Sequence, residues 1–206
     1  MNDLGGIMDY NVIENRLMEN LPIVYPTTTQ PALGCYPNKE SLDFLYELKN
    51  RPYDSPVSLA VNNLDEGGNL VILNPIAKKM EKDFPEGSLT FLLPTINKMD
   101  QRLGGELMAL RPVAHPIAKK LIGEFGPLTA TSANVSGCVP ANTCKGAIGD
   151  LNLPISALVD GICKSAVPST IVKVIFEEDT SESSVIIMRE GVVPSQKVTE
   201  WILNQK

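Results

Sequence analysis

Apolar residues along this chain come in short bursts separated by polar, glycine- and proline-bearing stretches, and their spacing alternates between the helical period and the strand period. Residues 12–18 read as an amphipathic helix and residues 21–25 as a buried strand ended by Pro26. Asn38 or Ser41 can cap a second helix, whose Leu42, Leu45, Tyr46 and Leu48 fall near helical spacing. Lys49, Asn50 and Arg51 close its last turn ahead of Pro52. Residues 57–61 predict a strand, the Gly67-Gly68 pair a break, and Pro75 the first turn of a helix with Ile76, Met80 and Phe84 on one face. Strands follow at 88–93 and 107–111, then a helix carrying Ile117, Leu121 and Ile122 that stops at Gly126, then a strand running into PLTATSANVSG. The last third predicts a short helix near Ala147, strands at 155–159, 169–176 and 185–189, and a closing helix with Val198, Trp201 and Ile202. Residues 177–184, EEDTSESS, predict a solvated hairpin turn. The alternation predicts a mixed α/β class, one twisted mixed sheet with flanking helices, in a single domain over 1–206.

Composition narrows the function. With 43% hydrophobic and 20% charged residues, the chain carries the apolar content of an ordinary globular core. A net charge of -6 provides no global positive field, so nucleic-acid binding would need a local basic cluster, and a dedicated RNA-binding module is disfavoured. No basic segment leads into an apolar run at the start, and no uncharged stretch reaches membrane-spanning length, which predicts a cytoplasmic protein without membrane contact. Four cysteines without a CxxC pair and one histidine do not assemble a zinc ligand set; the thiols read as buried or incidental. A Ser/Cys-His hydrolase could run only through His115, whose setting, RPVAHPIAKKL, reads as a helix entry.

Candidate chemistry gathers at strand ends, where α/β sheets bind their ligands. Thr27, Thr28 and Thr29 follow the first strand, Arg111 another, TSANVSG (131–137) a third, and Ser169 and Thr170 open a fourth. Hydroxyls, an amide and a guanidinium suit a ligand with carboxylate and phosphate groups, and Lys49, Arg51 and Arg189 add phosphate-compatible charge. Neither GxxxxGK[ST] nor GxGxxG after a strand is present, so hydroxyl and cation contacts must replace those cradles. Singly, each feature has a plainer reading: a hydroxyl-capped turn for residues 27–29, macrodipole complements for Lys49 and Arg51, a surface ion pair for Arg111. The nine-residue run 129–137 offers more donors and closer backbone access than a turn requires.

In order, these segments resemble the YrdC/TsaC/YciO family. PTTTQPALG (26–34) lies where that family has a PTDTxYGLG-like loop, and LKNRP (48–52) looks like its KxRP element. GSLT (87–90) is similar to its GPLT strand, RPVAHP (111–116) to its RxPxHP turn, and LTATSANVSG (128–137) to its LTATSANxSG signature. Asp160-Gly161, PSTIV (168–172) and REG (189–191) complete the series. Departures fall at Thr28, where the family has an acid, at Pro31 and Ala32, where it has an aromatic and a glycine, and at Ser55, where a basic or amide residue is frequent.

The resemblance implies a dihydroxybutanone-phosphate-synthase-like fold with a concave basic cleft, and a short-form synthase that condenses threonine, bicarbonate and ATP into threonylcarbamoyl-AMP and pyrophosphate, with Mg²⁺ accompanying the triphosphate. It assigns the amino-acid pocket to Thr27, Thr29, Arg111, Thr131, Ser169 and Thr170. The nucleotide side falls to Lys49, Arg51, Ser132, Asn134, Ser136 and Arg189, with Lys49 and Arg51 catalytic and no resident metal. It further implies hand-over to a separate tRNA threonylcarbamoyl transferase, with at most a weak tRNA contact. The competing reading is a YciO-like paralogue that binds nucleotide or RNA in the same cleft with altered or no synthase activity.

Overall fold

Asp9 accepts from the amides of Asn11 and Val12, capping α1 (Tyr10–Met18), which buries Ile13, Arg16 and Leu17. The computed structural model describes residues 9–177 and 182–205. Strands β1 (Ile23–Tyr25) and β2 (Ala32–Gly34) form an antiparallel pair, Tyr25 opposite Ala32, and so pinch residues 26–31 into a tight loop. Helix α2 (Lys39–Leu48) is capped by Asn38, which accepts from the Ser41 amide at 2.8 Å; Ser41 is buried and bonds Asn20 instead. The helix ends as expected: Lys49 is its C-cap and Asn50 takes a left-handed φ of 47° that turns the chain out.

Strand β3 (Leu59–Val61) leads into a 3₁₀ turn and then α3 (Pro75–Asp83), with proline in its first turn. Ala77 and Met80 form its buried face, while Phe84 falls just past the helix as its C-cap. Strands β4 (Leu89–Pro94) and β5 (Leu107–Pro112), helix α4 (Pro116–Phe125) and strands β6 (Leu128–Thr129) and β7 (Thr131–Ser132) follow. Gly126, at φ +79°, closes α4 in a conformation that disfavours a side chain. Helix α5 (Cys144–Asp150), the hairpin β8 (Thr170–Glu177) and β9 (Glu182–Arg189), and α6 (Ser195–Leu203) complete the chain. The hairpin pairs down to Glu177 opposite Glu182; residues 178–181 of the predicted turn lie outside the described residues.

The mixed sheet has six strands in the order β6-β3-β5-β4-β8-β9, parallel at β3/β5 and β4/β8 and antiparallel elsewhere. Beside it stands a second, antiparallel sheet, β1-β2-β7, which the apolar pattern did not separate from the first. One predicted strand is corrected. Residues 155–159 form a 3₁₀ turn, Ile155–Ala157, closed by the Ala157 amide on the Pro154 carbonyl, and only Leu158 bridges to Val24. Pro154 at its start and Ser156 within it favour the turn over the extended period.

Two apolar clusters hold these layers. The larger joins Leu33, Leu45, Met80, Phe91, Leu110, Val172 and Val198, bringing α2, α3 and α6 onto the six-stranded sheet. The smaller packs Ile13, Leu17, Tyr25, Val113 and Leu121 between α1, α4 and the small sheet. Among the described residues, no helix is long and apolar enough to cross a membrane.

A candidate site for an anionic ligand

The β1–β2 loop is organised by one hydroxyl. Thr27 Oγ1 donates to the Gln30 carbonyl at 2.7 Å and accepts the Thr29 amide at 3.1 Å, the self-satisfied turn that Thr favours at such a bend. Arg111, near the end of β5, reaches into that loop: its Nη2 donates to Thr27 Oγ1 at 3.1 Å and to Thr29 Oγ1 at 2.5 Å. Ala60 on β3 lies opposite Arg111, so the arginine's strand neighbour on that side is a methyl.

Arg111 is 8% exposed, and burial lowers its pKa, with Arg189 pushing the same way and Tyr25 opposing. Among the described residues no carboxylate forms an ion pair with Arg111, Arg189, Lys49 or Arg51. Arg111 Nε is buried and has no hydrogen-bond partner among the described residues. A desolvated cation with an unused donor costs several kcal/mol unless an anion completes it. Arg102 shows the contrast: equally buried, it is held by Asp43 and Asp100, whose hydrogen bonds raise its pKa, and it serves the fold.

Ser169, at the start of β8, contributes beside Arg111. Its hydroxyl shares a 2.8 Å hydrogen bond with Thr90 on β4, and its carbonyl accepts from Arg189 Nη2 at 2.7 Å. Ser88, just ahead of β4, buries an unpartnered hydroxyl. Thr170 is placed differently: its hydroxyl donates to the Val193 carbonyl at 2.7 Å and accepts the amides of Gly191 and Val193. That saturates the group as a brace between β8 and the segment leading to α6.

Lys49 organises the other half. Its buried ammonium donates to the carbonyls of Ser132 and Asn134, both at 2.5 Å, and its own carbonyl accepts the Ser136 amide at 2.8 Å. Burial, and then Arg51, push its pKa down to about 7. The two carbonyls oppose that shift because they favour the ammonium. Ser132 Oγ donates to Asn134 Oδ1 at 2.6 Å, and Asn134 Nδ2 donates to the carbonyls of Val135 and Cys138. Thr131 is buried on β7, and Ser136 buries a hydroxyl without a partner. Arg51 is spent on the carbonyls of Ser55 (2.7 Å) and Pro56 (2.9 Å).

The halves meet through the small sheet: Ala32 pairs with Ser132, Leu33 with Thr131, and the Ala133 amide donates to the Pro31 carbonyl. Thr27, Thr29, Arg111, Ser169 and Arg189 therefore form one group, Lys49, Ser132, Asn134 and Ser136 a second, and strand pairing sets them side by side. Arg51 lies at the margin, and Thr170 supports from behind. Sequence reasoning passed over Thr90, whose only signal was its place in GSLT. Cys163, half-buried and read from the sequence as an incidental thiol, has its pKa lowered by Cys144 foremost, with the Thr27 backbone and Arg111 acting in the same direction against burial.

Fold and geometry thus define an α/β protein with a candidate site, rich in hydroxyls and in cations without a carboxylate partner among the described residues, where two sheets abut. The chain belongs to the Sua5/YciO/YrdC family: the family model described as "Telomere recombination" matches residues 15–191. A putative threonylcarbamoyl-AMP synthase of Methanocaldococcus jannaschii is 31% identical over 162 residues, 78% of this chain and 74% of that protein. The threonylcarbamoyl-AMP synthase of Bacillus subtilis is 34% identical over 151 residues, 70% of this chain but only 44% of its own length. Among solved structures, P. abyssi Sua5 complexed with L-threonine superposes with a TM-score of 0.79 at 24% identity, covering 96% of this chain and 59% of that one. E. coli YciO gives 0.69 at 22% identity over 89% of both chains. These two show the same fold.

Proposed function

We propose that this chain acts as a threonylcarbamoyl-AMP synthase. The observation that carries the reading is Arg111: a buried guanidinium held by two threonine hydroxyls, with no carboxylate partner among the described residues and an unused Nε donor. An amino-acid carboxylate would supply the missing charge, and the planar fork of arginine suits it. The family membership and the names of its relatives point the same way.

In this reading the amine of threonine and bicarbonate yield a carbamate with loss of water. A carbamate oxygen then attacks the α-phosphorus of ATP, and pyrophosphate leaves. In-line phosphoryl chemistry needs positioning and charge neutralisation more than a protein nucleophile. Arg111, Thr27, Thr29 and Ser169 bind and orient the amino acid, with Thr131 on the adjoining strand and Thr170 as a brace. Ser132, Asn134 and Ser136 take the nucleotide side, and Arg189, which stands in the Arg111 group on the Ser169 carbonyl, adds its charge toward the nucleotide from there. Lys49 shapes that loop from beneath while contributing charge, and Arg51 adds charge at the margin, so their catalytic role is electrostatic. The site offers hydroxyls and cations without a carboxylate, a donor set unsuited to a resident divalent ion; Mg²⁺ would enter on the triphosphate. A cytoplasmic setting and delivery of the labile anhydride to a separate tRNA-modifying transferase belong to the same proposal.

The deciding assay is amino-acid-dependent pyrophosphate release from ATP, Mg²⁺ and bicarbonate by the purified protein. Release with threonine is expected. Silence with every amino acid overturns the reading, and release with serine alone reassigns the acceptor, a test that matters because Thr28, Pro31 and Ala32 reshape the first loop.

A further inference from the structure

Arg51 stands where α2 hands over to the loop 51–57, and Tyr46 holds it there twice. The helix ends in a Schellman turn: the Asn50 amide donates to the Glu47 carbonyl at 3.0 Å and the Arg51 amide to the Tyr46 carbonyl at 2.9 Å, with Asn50 left-handed between them. The Tyr46 side chain, 1% exposed, then returns to the same loop. Its hydroxyl lies 2.8 Å from the Ser55 carbonyl and 2.9 Å from the Arg102 carbonyl and shares its one hydrogen between them. The Ser55 carbonyl is also the acceptor for Arg51 Nε at 2.7 Å, and the Pro56 carbonyl accepts from Arg51 Nη2 at 2.9 Å. One carbonyl oxygen therefore joins the buried phenol to the guanidinium.

Tyr46 is itself fixed. Its ring stacks with that of Tyr53 at 5.5 Å and 25°, and the Arg102 guanidinium lies 5.9 Å from its centroid, held in turn by Asp43 and Asp100. The Val57 amide donates to the Arg102 carbonyl at 2.8 Å, so the far end of the loop is tied to the same point. The two bonds of Arg51 occupy its Nε/Nη2 edge. Nη1 has no hydrogen bond among the described residues, and no carboxylate among them pairs with the guanidinium. Neutral carbonyls hold the group without neutralising it, and a planar fork clamped along one edge offers the other to an anion with little rotamer freedom left to lose.

We propose that Tyr46 is a positioning residue for the nucleotide: by fixing the Ser55 carbonyl it sets the reach and orientation of Arg51 toward a phosphate. This rests on the reading that gives Arg51 the charge of a triphosphate to meet, while the clamp itself stands on the hydrogen bonds.

Tyr46→Phe isolates the hydroxyl. The ring and its stack remain, and neither carbonyl is stranded, because Ser55 keeps Arg51 Nε and Arg102 keeps the Val57 amide, so the thermal midpoint stays close to wild type. In calorimetry on the folded protein, the Kd for Mg²⁺·ATP rises about fivefold, the net value of one hydrogen bond, and the Kd for threonine is unchanged. In an Arg51→Ala background Tyr46→Phe adds no further loss, since the residue it positions is gone. Wild-type ATP affinity in Tyr46→Phe overturns the proposal. The same fivefold loss in the Arg51→Ala background, or an equal loss for threonine, makes Tyr46 a general brace and overturns it too. A wild-type protein that binds ATP but releases no pyrophosphate with any amino acid sinks the synthase reading, and the titrations still decide the role of Tyr46; absence of ATP binding sinks both.

Discussion

At the scale of single residues, the molecule separates a buried cation held by carboxylates from one held by hydroxyls alone, to which the proposed function gives the ligand. Arg102 and Arg111 are both buried arginines near strand β5, yet among the described residues only Arg102 of the two has carboxylate partners. Arg111→Lys preserves the charge but loses the planar fork and the reach to both threonines. Calorimetric titration with threonine should show a loss of about ten- to a hundredfold, the range for a charged hydrogen-bonded pair; an isotherm matching wild type would remove Arg111 from the carboxylate role. Lys49 is the subtler case. Replacing it with Met removes a desolvated charge and also strands two carbonyls, opposing effects of about a few kcal/mol each. The expected outcome is a thermal midpoint close to wild type with nucleotide affinity reduced at least about tenfold, the Coulombic share of one lost charge. A large fall in the midpoint would make Lys49 a brace alone.

Among the elements, the site depends on how strands end and what ties them to the next segment. Thr170 illustrates this, since one hydroxyl links β8 to the backbone of Gly191 and Val193. Thr170→Val keeps the shape and leaves three backbone groups unsatisfied, so urea unfolding should register a loss of about 2–4 kcal/mol. Ser169→Ala should leave stability nearly unchanged and weaken threonine binding; the reverse pattern would exchange their roles. Helix α4 carries a pH signature through its cap. His115 is lowered below its ordinary 6.5 in the fold, so the stability it contributes is complete above about 6.5 and is lost as pH falls through its lower folded value. Thermal midpoints measured between about pH 7.5 and 5 should therefore drop further for wild type than for His115→Asn, whose cap does not titrate. Parallel curves would show that His115 stays neutral throughout.

Across the whole molecule, the larger apolar cluster draws on both sheets, joining Val24 and Leu33 to Phe91 and Leu110, so binding energy and folding energy are linked. Phe91 is 1% exposed at the centre of the larger cluster, one position along β4 from Thr90, and Phe91→Ala should cost about 3–5 kcal/mol in chemical denaturation. Threonine and ATP at about a hundred times their dissociation constants should return about 2.7 kcal/mol each to the wild-type protein, and less to Arg111→Lys for threonine. Absence of any ligand-dependent shift would contradict the site.

The elements were largely legible because their signals are local: Asn38 as a cap, Pro75 and Pro116 at first turns, Gly126 as a stop, and apolar spacing that names a helix or strand wherever it repeats. The polar inventory of the site could be read for the same reason, as hydroxyls and guanidiniums gathered at strand ends. Periodicity has no information on which strand pairs with which, so the separate β1-β2-β7 sheet, the single bridge at Leu158 and the union of the Lys49 and Arg111 groups arose only from long-range pairing. The same holds for who satisfies whom. That Arg102 finds two carboxylates while Arg111 finds none among the described residues, that Thr170 is used up, and that His115 caps the Ile117 amide are outcomes of burial, where each polar group must find its partner in three dimensions.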